Sequence, residues 1–274
     1  MKQACFRRII RKTGITKRQG VLFVCVLLSF LLFWLCTKSQ FVCNLITAYV
    51  TDPLKCILSH ICSLFSFSVT ELAIIAAILL IIGCAVWFVY QMKKNKGRRI
   101  PTLFHGIFTA LLAVLIGISA FDWMYGINYY EMSLQEKIGV YAKDVSAEEL
   151  YETASYFLEQ ANKSAKSIPR DETGDLVLSA DAIASMSVCA YEPLFSKYEI
   201  LKTPLTKPKV LVFSKGVSYL NCTGFFFPYF GESNLNGDVP KTTIPSTAMH
   251  ELAHQMGIAS EQEANFLAVV GCVE

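Results

Sequence analysis

Residues 247–268, TAMHELAHQMGIASEQEANFLA, carry the pattern from which the rest of the chain is interpreted. Within this stretch His250, Glu251 and His254 form an HExxH motif. Residues four apart lie on one face of a helix, so both imidazoles can reach a single metal ion. Glu251 can then reach a water on that metal, which is the arrangement of zinc hydrolases. The motif therefore predicts a Zn²⁺ site with Glu251 as the catalytic base.

A catalytic zinc needs a third protein ligand and an open fourth position, and the residues after the motif offer a ligand. Gly257 is a natural helix stop, because glycine tolerates the left-handed conformation found at helix ends. Ser260 is then the expected N-cap of a second helix, whose first turn carries Glu261 and Glu263. These two glutamates are two residues apart, so they cannot both face the metal. From the residues alone, either of them can be the third ligand.

Residues 261–265, Glu-Gln-Glu-Ala-Asn, resemble the ExxA(D/N) glutamate helix of gluzincin metallopeptidases. In those enzymes the first glutamate is the third zinc ligand, and the residue four positions later buttresses a zinc-binding histidine. The resemblance therefore implies Glu261 as the ligand, with Glu263 as the alternative, and Asn265 as the buttressing residue.

A longer resemblance extends from the membrane portion of the chain onward. The WMYGINYY run, the FFPYFGESNLN stretch, the HELAHQ core and the EQEANFLA segment resemble a bacterial family of multi-pass membrane proteins known as domain of unknown function 3810. The resemblance implies a zincin-like domain but supplies no substrate. Relatives in that family continue past the position of Glu274, so a C-terminally truncated domain is expected here.

The composition is that of a membrane protein, with 53% hydrophobic and 17% charged residues. Three apolar runs long enough to cross a bilayer cover residues 20–37, 72–90 and 102–121. Residues 1–19 form a basic arm, and residues 91–99 contain five Lys and Arg and no acid. The positive-inside rule places both basic segments in the cytoplasm. We therefore expect three spans in the cell membrane, a cytoplasmic N-terminus and an extracytoplasmic C-terminal domain.

Residues 20–124 thus form the predicted membrane domain, and membrane lipid is a predicted partner. Segment 38–71, between the first two spans, is expected outside and is too apolar for an ordinary loop. Its pattern predicts one or two amphipathic helices divided at Asp52-Pro53. Two interpretations remain open for it: packing against the outer ends of the spans, or an interfacial helix or substrate lid at the membrane surface.

Residues 125–274 are expected to form one extracytoplasmic domain of ordinary size. They contain 11 Lys and Arg against 19 Asp and Glu, which gives a net charge of −8. The basic residues that make the whole chain positive are therefore concentrated in or beside the membrane portion. This distribution reflects topology and argues against a nucleic-acid partner.

The external domain is predicted to begin with helices and to continue with strands. A helix starts at the capping box of Ser146 and Glu149 and continues to Ser164. The aromatic run 217–239 predicts a hairpin followed by an extended segment of residues Glu232, Ser233, Asn234, Leu235 and Asn236. By analogy with zincin-like peptidases, this segment is the candidate strand for binding a substrate backbone. The predicted fold class is α+β: three transmembrane helices followed by an extracytoplasmic zincin-like metallopeptidase domain.

These features indicate a membrane-anchored zinc metallopeptidase acting on extracytoplasmic or membrane-proximal protein or peptide substrates. Zn²⁺ held by His250, His254 and a glutamate would activate water, and Glu251 would move the proton to the leaving amine. The alternatives are a membrane sensor or signalling protein with a regulatory metal site, and a scaffold with a vestigial one. The cytoplasmic loop 91–99 is too short for an effector domain, and the base is present, so the peptidase is favoured.

Overall fold

The computed structural model describes residues 14–273, so most of the predicted basic arm 1–19 lies outside the described residues. The described chain divides into two units. The first contains residues 14–58, Val69–Glu131 and Pro228–Gly231, and the second contains Ser59–Ser68, Met132–Phe227 and residues 232–273. The fold is mixed α and β, since helices dominate and a three-stranded sheet lies in the second unit. Residues 59–68 group with the C-terminal residues in the second unit.

Four helical stretches within residues 14–273 are long and apolar enough to cross a membrane: Lys17–Cys36, Gln40–Ser63, Val69–Lys94 and Lys96–Met124. Three of them overlap the apolar runs identified in the sequence, and Gln40–Ser63 is additional. We name the α-helices among them α1 (Lys17–Cys36), α4 (Val69–Lys94) and α5 (Arg99–Met124), with a short 3-10 turn, Lys96–Arg98, before the last. These apolar helices indicate membrane association.

The stretch Gln40–Ser63 is helical throughout, but its winding changes. It consists of α2 (Gln40–Ile46), a π-helical segment (Thr47–Thr51) and α3 (Asp52–Ser63). The predicted division at Asp52-Pro53 is therefore a change of helix type and not a break. A proline ring clashes with the carbonyl four residues earlier. The wider π turns relieve this clash, and the Asp52 N–H bonds to the Thr47 carbonyl five residues back.

This helical stretch is polar on its buried side and apolar on its exposed side. Thr47, Thr51 and Lys55 are buried. The Lys55 ammonium lies 2.9 Å from Asp52 and donates to Asn128 Oδ1 at 3.2 Å, so the buried cation is paired. The exposed large apolar side chains include Phe41, Leu45, Tyr49, Val50, Leu54 and Ile57. A helix in water shows the reverse pattern.

Helices α1 and α5 are packed in parallel. Gln19 Nε2 donates to Thr109 Oγ1 at 2.8 Å, and the Ser29 and Ser119 hydroxyls lie 2.8 Å apart. Both pairs are offset by 90 residues, and a constant offset occurs only when two helices run in the same direction. Helix α4 packs closely against α5 at Gly106. The ring of Phe88 in α4 occupies the space that a Cβ at Gly106 would need.

The second unit is built from short helices around a small sheet. Its helices are α6 (Leu134–Ile138), α7 (Ala147–Ser167), α8 (Ala180–Cys189), α9 (Glu192–Lys197), α10 (Ser214–Ser218), α11 (Ile244–Gln255) and α12 (Glu261–Val273). The predicted capping box is confirmed: Ser146 accepts from the Glu149 N–H, and the Glu149 carboxylate accepts from the Ser146 N–H. Helix α11 has Pro245 in its first turn, where a missing N–H costs nothing.

The sheet has the order β1–β3–β2, with β1 (Lys209–Val210) parallel and β2 (Gly224–Phe227) antiparallel to β3 (Glu232–Leu235). A hairpin is present, but the segment that was expected to follow it forms its second strand: β2 and β3 are the two strands. The proposed substrate strand, however, is the central strand, so that prediction was wrong. Asn234 and Leu235 pair on both sides, and residues 232–236 are at most 3% exposed. A substrate cannot add to a strand whose edges are occupied, which leaves β2 as the edge on the hairpin side.

Helix α11 lies in the core of this unit. Its buried residues Met249, Leu252 and Ala253 pack with α12 and with residues of α9. Tyr191, which is fully buried, donates its hydroxyl to the Met249 carbonyl at 2.7 Å. Full burial of a leucine side chain contributes about 1.5–3 kcal/mol, so this packing holds α11 rigidly. The helix that carries the HExxH motif is thus one of the best supported elements of the unit.

Candidate metal centre

The reversal between α11 and α12 follows the sequence prediction. Gly257 adopts a φ of +94°, and its N–H bonds to the His254 carbonyl at 3.0 Å. The Ile258 N–H then bonds to the Ala253 carbonyl at 3.1 Å. Ser260 precedes α12, and its carbonyl accepts the Ala264 N–H at 2.9 Å. Because α11 ends and α12 begins within this short turn, the first turn of α12 lies over the end of α11.

Three predicted metal ligands converge as a result. His250 Nε2 lies 3.0 Å from His254 Nε2. The Glu261 carboxylate oxygens lie 3.2 Å from His250 Nε2 and 3.5 Å from His254 Nε2. The two histidines come from successive turns of α11, and the glutamate is the first residue of α12.

Hydrogen bonds on the far side of each ring determine which nitrogen faces the cluster. His254 Nδ1 lies 2.7 Å from the Ile258 carbonyl, which can only accept, so this nitrogen carries the proton. His250 Nδ1 lies 2.9 Å from Asn265 Oδ1, which is the buttressing contact implied for Asn265. A neutral imidazole protonated at Nδ1 has a lone pair at Nε2. Two lone pairs and a carboxylate therefore point at one position, where a cation would neutralise their repulsion.

The spacing of these atoms fits zinc. Zn–N and Zn–O bonds of about 2.0–2.1 Å place the ligands of a tetrahedral site about 3.3 Å apart. The three separations of 3.0, 3.2 and 3.5 Å bracket that value. The Glu261 side chain is 71% exposed, whereas both histidines are largely covered by the fold. The donor set thus leaves a side open to water, as a catalytic zinc requires.

The alternative ligand Glu263 is directed elsewhere. Its Oε1 accepts the backbone N–H of Leu134 at 2.9 Å. Leu134 is the first residue of α6 and is buried. Glu263 therefore caps the start of another helix, and the helical geometry that separates it from Glu261 explains why only one of the two reaches the histidines.

Glu251, the predicted base, is buried, with only 4% of its surface exposed. Burial, and secondarily the charge of Glu261, raise the pKa of Glu251 to about 8, and the Phe226 N–H lowers it by donating to the carboxylate. The Glu251 backbone is also held, because Ser233 Oγ donates to its carbonyl at 2.9 Å. Both β2 and β3 therefore contribute to the position of this residue.

Sequence reasoning missed these contacts from the sheet. Phe226 acts through its backbone, and the hydroxyl of Ser233 gives no distinctive pattern. Gly224 did offer a signal, since a glycine inside a strand often marks a close approach. A Cβ at this position would lie 2.9 Å from the Asn234 carbonyl oxygen and 3.1 Å from Glu251 Oε1. A side chain at residue 224 would crowd both the Asn234 carbonyl and the Glu251 carboxylate, so a glycine favours this close approach.

A family model described as "Protein of unknown function (DUF3810)" matches residues 47–274. The match covers His250, His254 and Glu261 and every described helix after α2. No curated protein and no solved structure matches the sequence.

Proposed function

The chain belongs to the DUF3810 family, and we propose that it is a membrane-anchored zinc metallopeptidase that hydrolyses peptide bonds of extracytoplasmic or membrane-proximal proteins. The observation that carries the proposal is the convergence of His250 Nε2, His254 Nε2 and the Glu261 carboxylate on one position. The buried Glu251 follows the first of these ligands in the chain. Zincin-like metallopeptidases are the class of enzyme in which such a donor set and such a base serve one reaction.

Each residue has a distinct part in this reaction. His250, His254 and Glu261 would hold the ion, which supplies Lewis-acid chemistry by acidifying water and polarising a peptide carbonyl. The Glu251 carboxylate takes the proton from the attacking water and delivers it to the leaving amine nitrogen. The Phe226 N–H fixes the direction of that carboxylate. Asn265 and the Ile258 carbonyl hold the two imidazoles with Nε2 towards the ion.

The substrate strand in this proposal is β2. It pairs with β3 on one side only in the sheet order β1–β3–β2. It is adjacent to the base, because the Phe226 N–H reaches the Glu251 carboxylate. A protein or peptide segment that adds to this edge in an extended conformation brings its backbone beside the catalytic residues.

Three membrane crossings are part of the proposal, and the parallel packing of α1 and α5 supports them. Two parallel spans must be separated by an odd number of crossings, and α4 supplies one. A crossing by Gln40–Ser63 as well would make α1 and α5 antiparallel. Five basic residues lie in the α4–α5 connection, which the positive-inside rule places in the cytoplasm. The C-terminal domain is then extracytoplasmic.

Helix Gln40–Ser63 would lie in lipid on the outer side without crossing. Its exposed side chains between residues 41 and 57 are apolar, while Thr47, Thr51 and Lys55 are buried in protein. An outward apolar face with an inward polar face is stable where lipid, and not water, surrounds the helix. Its polar side packs against the end of α5, where Thr51 donates to the Trp123 carbonyl at 3.0 Å, in line with one of the two interpretations left open by the sequence. Its apolar side is exposed, in line with the other, so we propose a helix that packs on the ends of the spans and lies in the interface.

The experiment that tests the function is elemental analysis of the purified full chain, followed by incubation with a mixed fluorogenic peptide library. We expect one zinc per chain and peptide cleavage that chelation abolishes. Glu251→Gln should keep the zinc and lose cleavage, because its amide cannot accept a proton. Zinc without any hydrolysis would favour the sensor or scaffold alternative. Absence of zinc from the folded wild type would exclude the metallopeptidase.

A further inference from the structure

Residues Ser59–Ser68 comprise the end of α3 and its connection to α4, yet they pack within the unit that contains His250, His254 and Glu261. The segment has the sequence SHICSLFSFS. Its two terminal serines and Cys62 are buried, whereas the side chains between Ser63 and Phe67 are exposed. Buried serines at both ends of a connection need partners, and these partners lie on the elements that surround Glu251.

The first end of the segment reaches α11. The Ser59 hydroxyl is hydrogen-bonded to the Thr206 hydroxyl. Thr206 is bonded to Gln255 twice: its N–H donates to Gln255 Oε1 at 2.7 Å, and Gln255 Nε2 donates to its hydroxyl at 3.1 Å. All three residues are buried. Gln255 follows His254 in α11, so the chain of bonds ends on the helix of the HExxH motif.

The other end of the segment reaches the sheet. The Ser68 hydroxyl lies 2.6 Å from Asn234 Oδ1 and 3.1 Å from Glu232 Oε2, two acceptors on β3. The Lys209 ammonium of β1 donates to the Phe65 carbonyl of the segment. These contacts hold the central strand, which in turn holds β2 through the antiparallel ladder.

We propose that the segment Ser59–Ser68 is a positioning element of the metal site, with Ser59 and Ser68 as positioning residues. This inference rests on the proposed function. The segment binds both elements that determine where Glu251 lies: α11, which carries it, and the sheet, whose Phe226 N–H holds its carboxylate. The two imidazoles have supports of their own, Asn265 for His250 and the Ile258 carbonyl for His254, so we expect loss of a serine of the segment to displace the base and to leave zinc binding intact.

The test uses the full chain with Ser59→Ala and Ser68→Ala, and Ser63→Ala as the matched control. Ser63 is an exposed serine of the same segment whose hydroxyl bonds to the His60 carbonyl. We expect both variants to keep one zinc per chain and an unchanged absorption spectrum after cobalt substitution. The kcat for the peptide that the wild type cleaves fastest should fall about tenfold, with little change in KM, since misplacing a catalytic group affects the transition state. Ser68→Thr, which keeps the hydroxyl, should restore kcat.

Hydrogen exchange supplies a readout that does not depend on hydrolysis. Exchange of the Phe226 amide should increase about tenfold in Ser68→Ala, while exchange in α12 stays unchanged. If kcat and Phe226 exchange in both variants match those of Ser63→Ala, the inference is overturned. Loss of zinc, or loss of folding in both single variants, overturns it too, because the segment would then build the site or the fold. If the wild type contains no zinc, only the proposed function is contradicted. Hydrogen exchange of the Phe226 amide then still tests the role of the segment.

Discussion

His254 donates its Nδ1 proton to the backbone carbonyl of Ile258 across 2.7 Å, and Ile258 directly follows the left-handed Gly257. The turn that ends α11 therefore also orients a proposed metal ligand. If the turn were shaped differently, the carbonyl would move and the ring would be free to present either nitrogen. Helix termination and the proposed metal binding thus depend on the same two peptide units, and this dependence can be measured.

Gly257→Ala should weaken zinc binding as well as stability. An alanine in the left-handed region costs roughly 1–2 kcal/mol, and relief of this strain would displace the Ile258 carbonyl. Gly139→Ala is the matched control, because Gly139 ends α6 with a φ of +68° and a Cβ there would have open space. We expect similar losses of thermal stability in both variants. Zinc affinity, measured by chelator competition, should fall about tenfold or more in Gly257→Ala and stay unchanged in Gly139→Ala. A loss of this size is typical when a metal-binding histidine loses the hydrogen-bond partner of its other ring nitrogen. Equal affinities would contradict the role assigned to this turn.

Single substitutions of the two glutamates at the start of α12 should have different effects. Glu261→Ala removes a metal ligand, so zinc content after dialysis should fall well below one per chain. Glu263→Ala should keep its zinc and lose stability, because the buried Leu134 N–H loses its acceptor, at a cost of about 1–3 kcal/mol. Elemental analysis and thermal denaturation measure the two effects. The opposite pattern, with zinc lost only from Glu263→Ala, would reassign the third ligand.

Features that depend on neighbouring residues were predictable from the sequence. The HExxH spacing, the left-handed Gly257, the Ser260 cap and the Ser146 capping box all act within a few residues of each other. The order of the sheet was not predictable in this way. Nothing local distinguishes the central strand Glu232–Leu235 from the edge strand Gly224–Phe227, since partners far along the chain decide which edge is covered. For the same reason, the sequence did not reveal that Ser59–Ser68 packs with the C-terminal domain.

Glu251→Gln should stabilise the metal-free chain at alkaline pH. In the folded, metal-free chain, burial and the nearby Glu261 raise the pKa of Glu251 from 4.5 to about 8. The folded state therefore binds more protons than the unfolded state between about pH 4.5 and 8, and its stability falls as the pH rises through this window. A glutamine cannot ionise and avoids this loss.

The stability difference is measured by thermal denaturation after chelation at pH 5 and pH 8. We expect Glu251→Gln to exceed the wild type in melting temperature at pH 8, and the gap to narrow towards pH 5, where Glu251 is protonated in the folded state. Functional sites commonly show this opposition between stability and activity. A variant that melts below the wild type at pH 8 would contradict the assigned environment of the carboxylate.

The proposed topology predicts opposite labelling of two engineered cysteines by a membrane-impermeant maleimide. Gly97→Cys lies in the connection between α4 and α5, at a position where a Cβ has open space, and it keeps all five basic residues there. Ser155→Cys lies on the exposed surface of α7 in the C-terminal domain. In intact cells, labelling above the wild-type background is expected at position 155 only, and permeabilisation should add position 97. Three crossings and the positive-inside rule together require this result.

If Gly97→Cys is labelled in intact cells while Ser155→Cys is protected, the orientation is inverted and the metal centre faces the cytoplasm. Substrates outside the cell would then be excluded, whereas the zinc chemistry of the site would be unaffected.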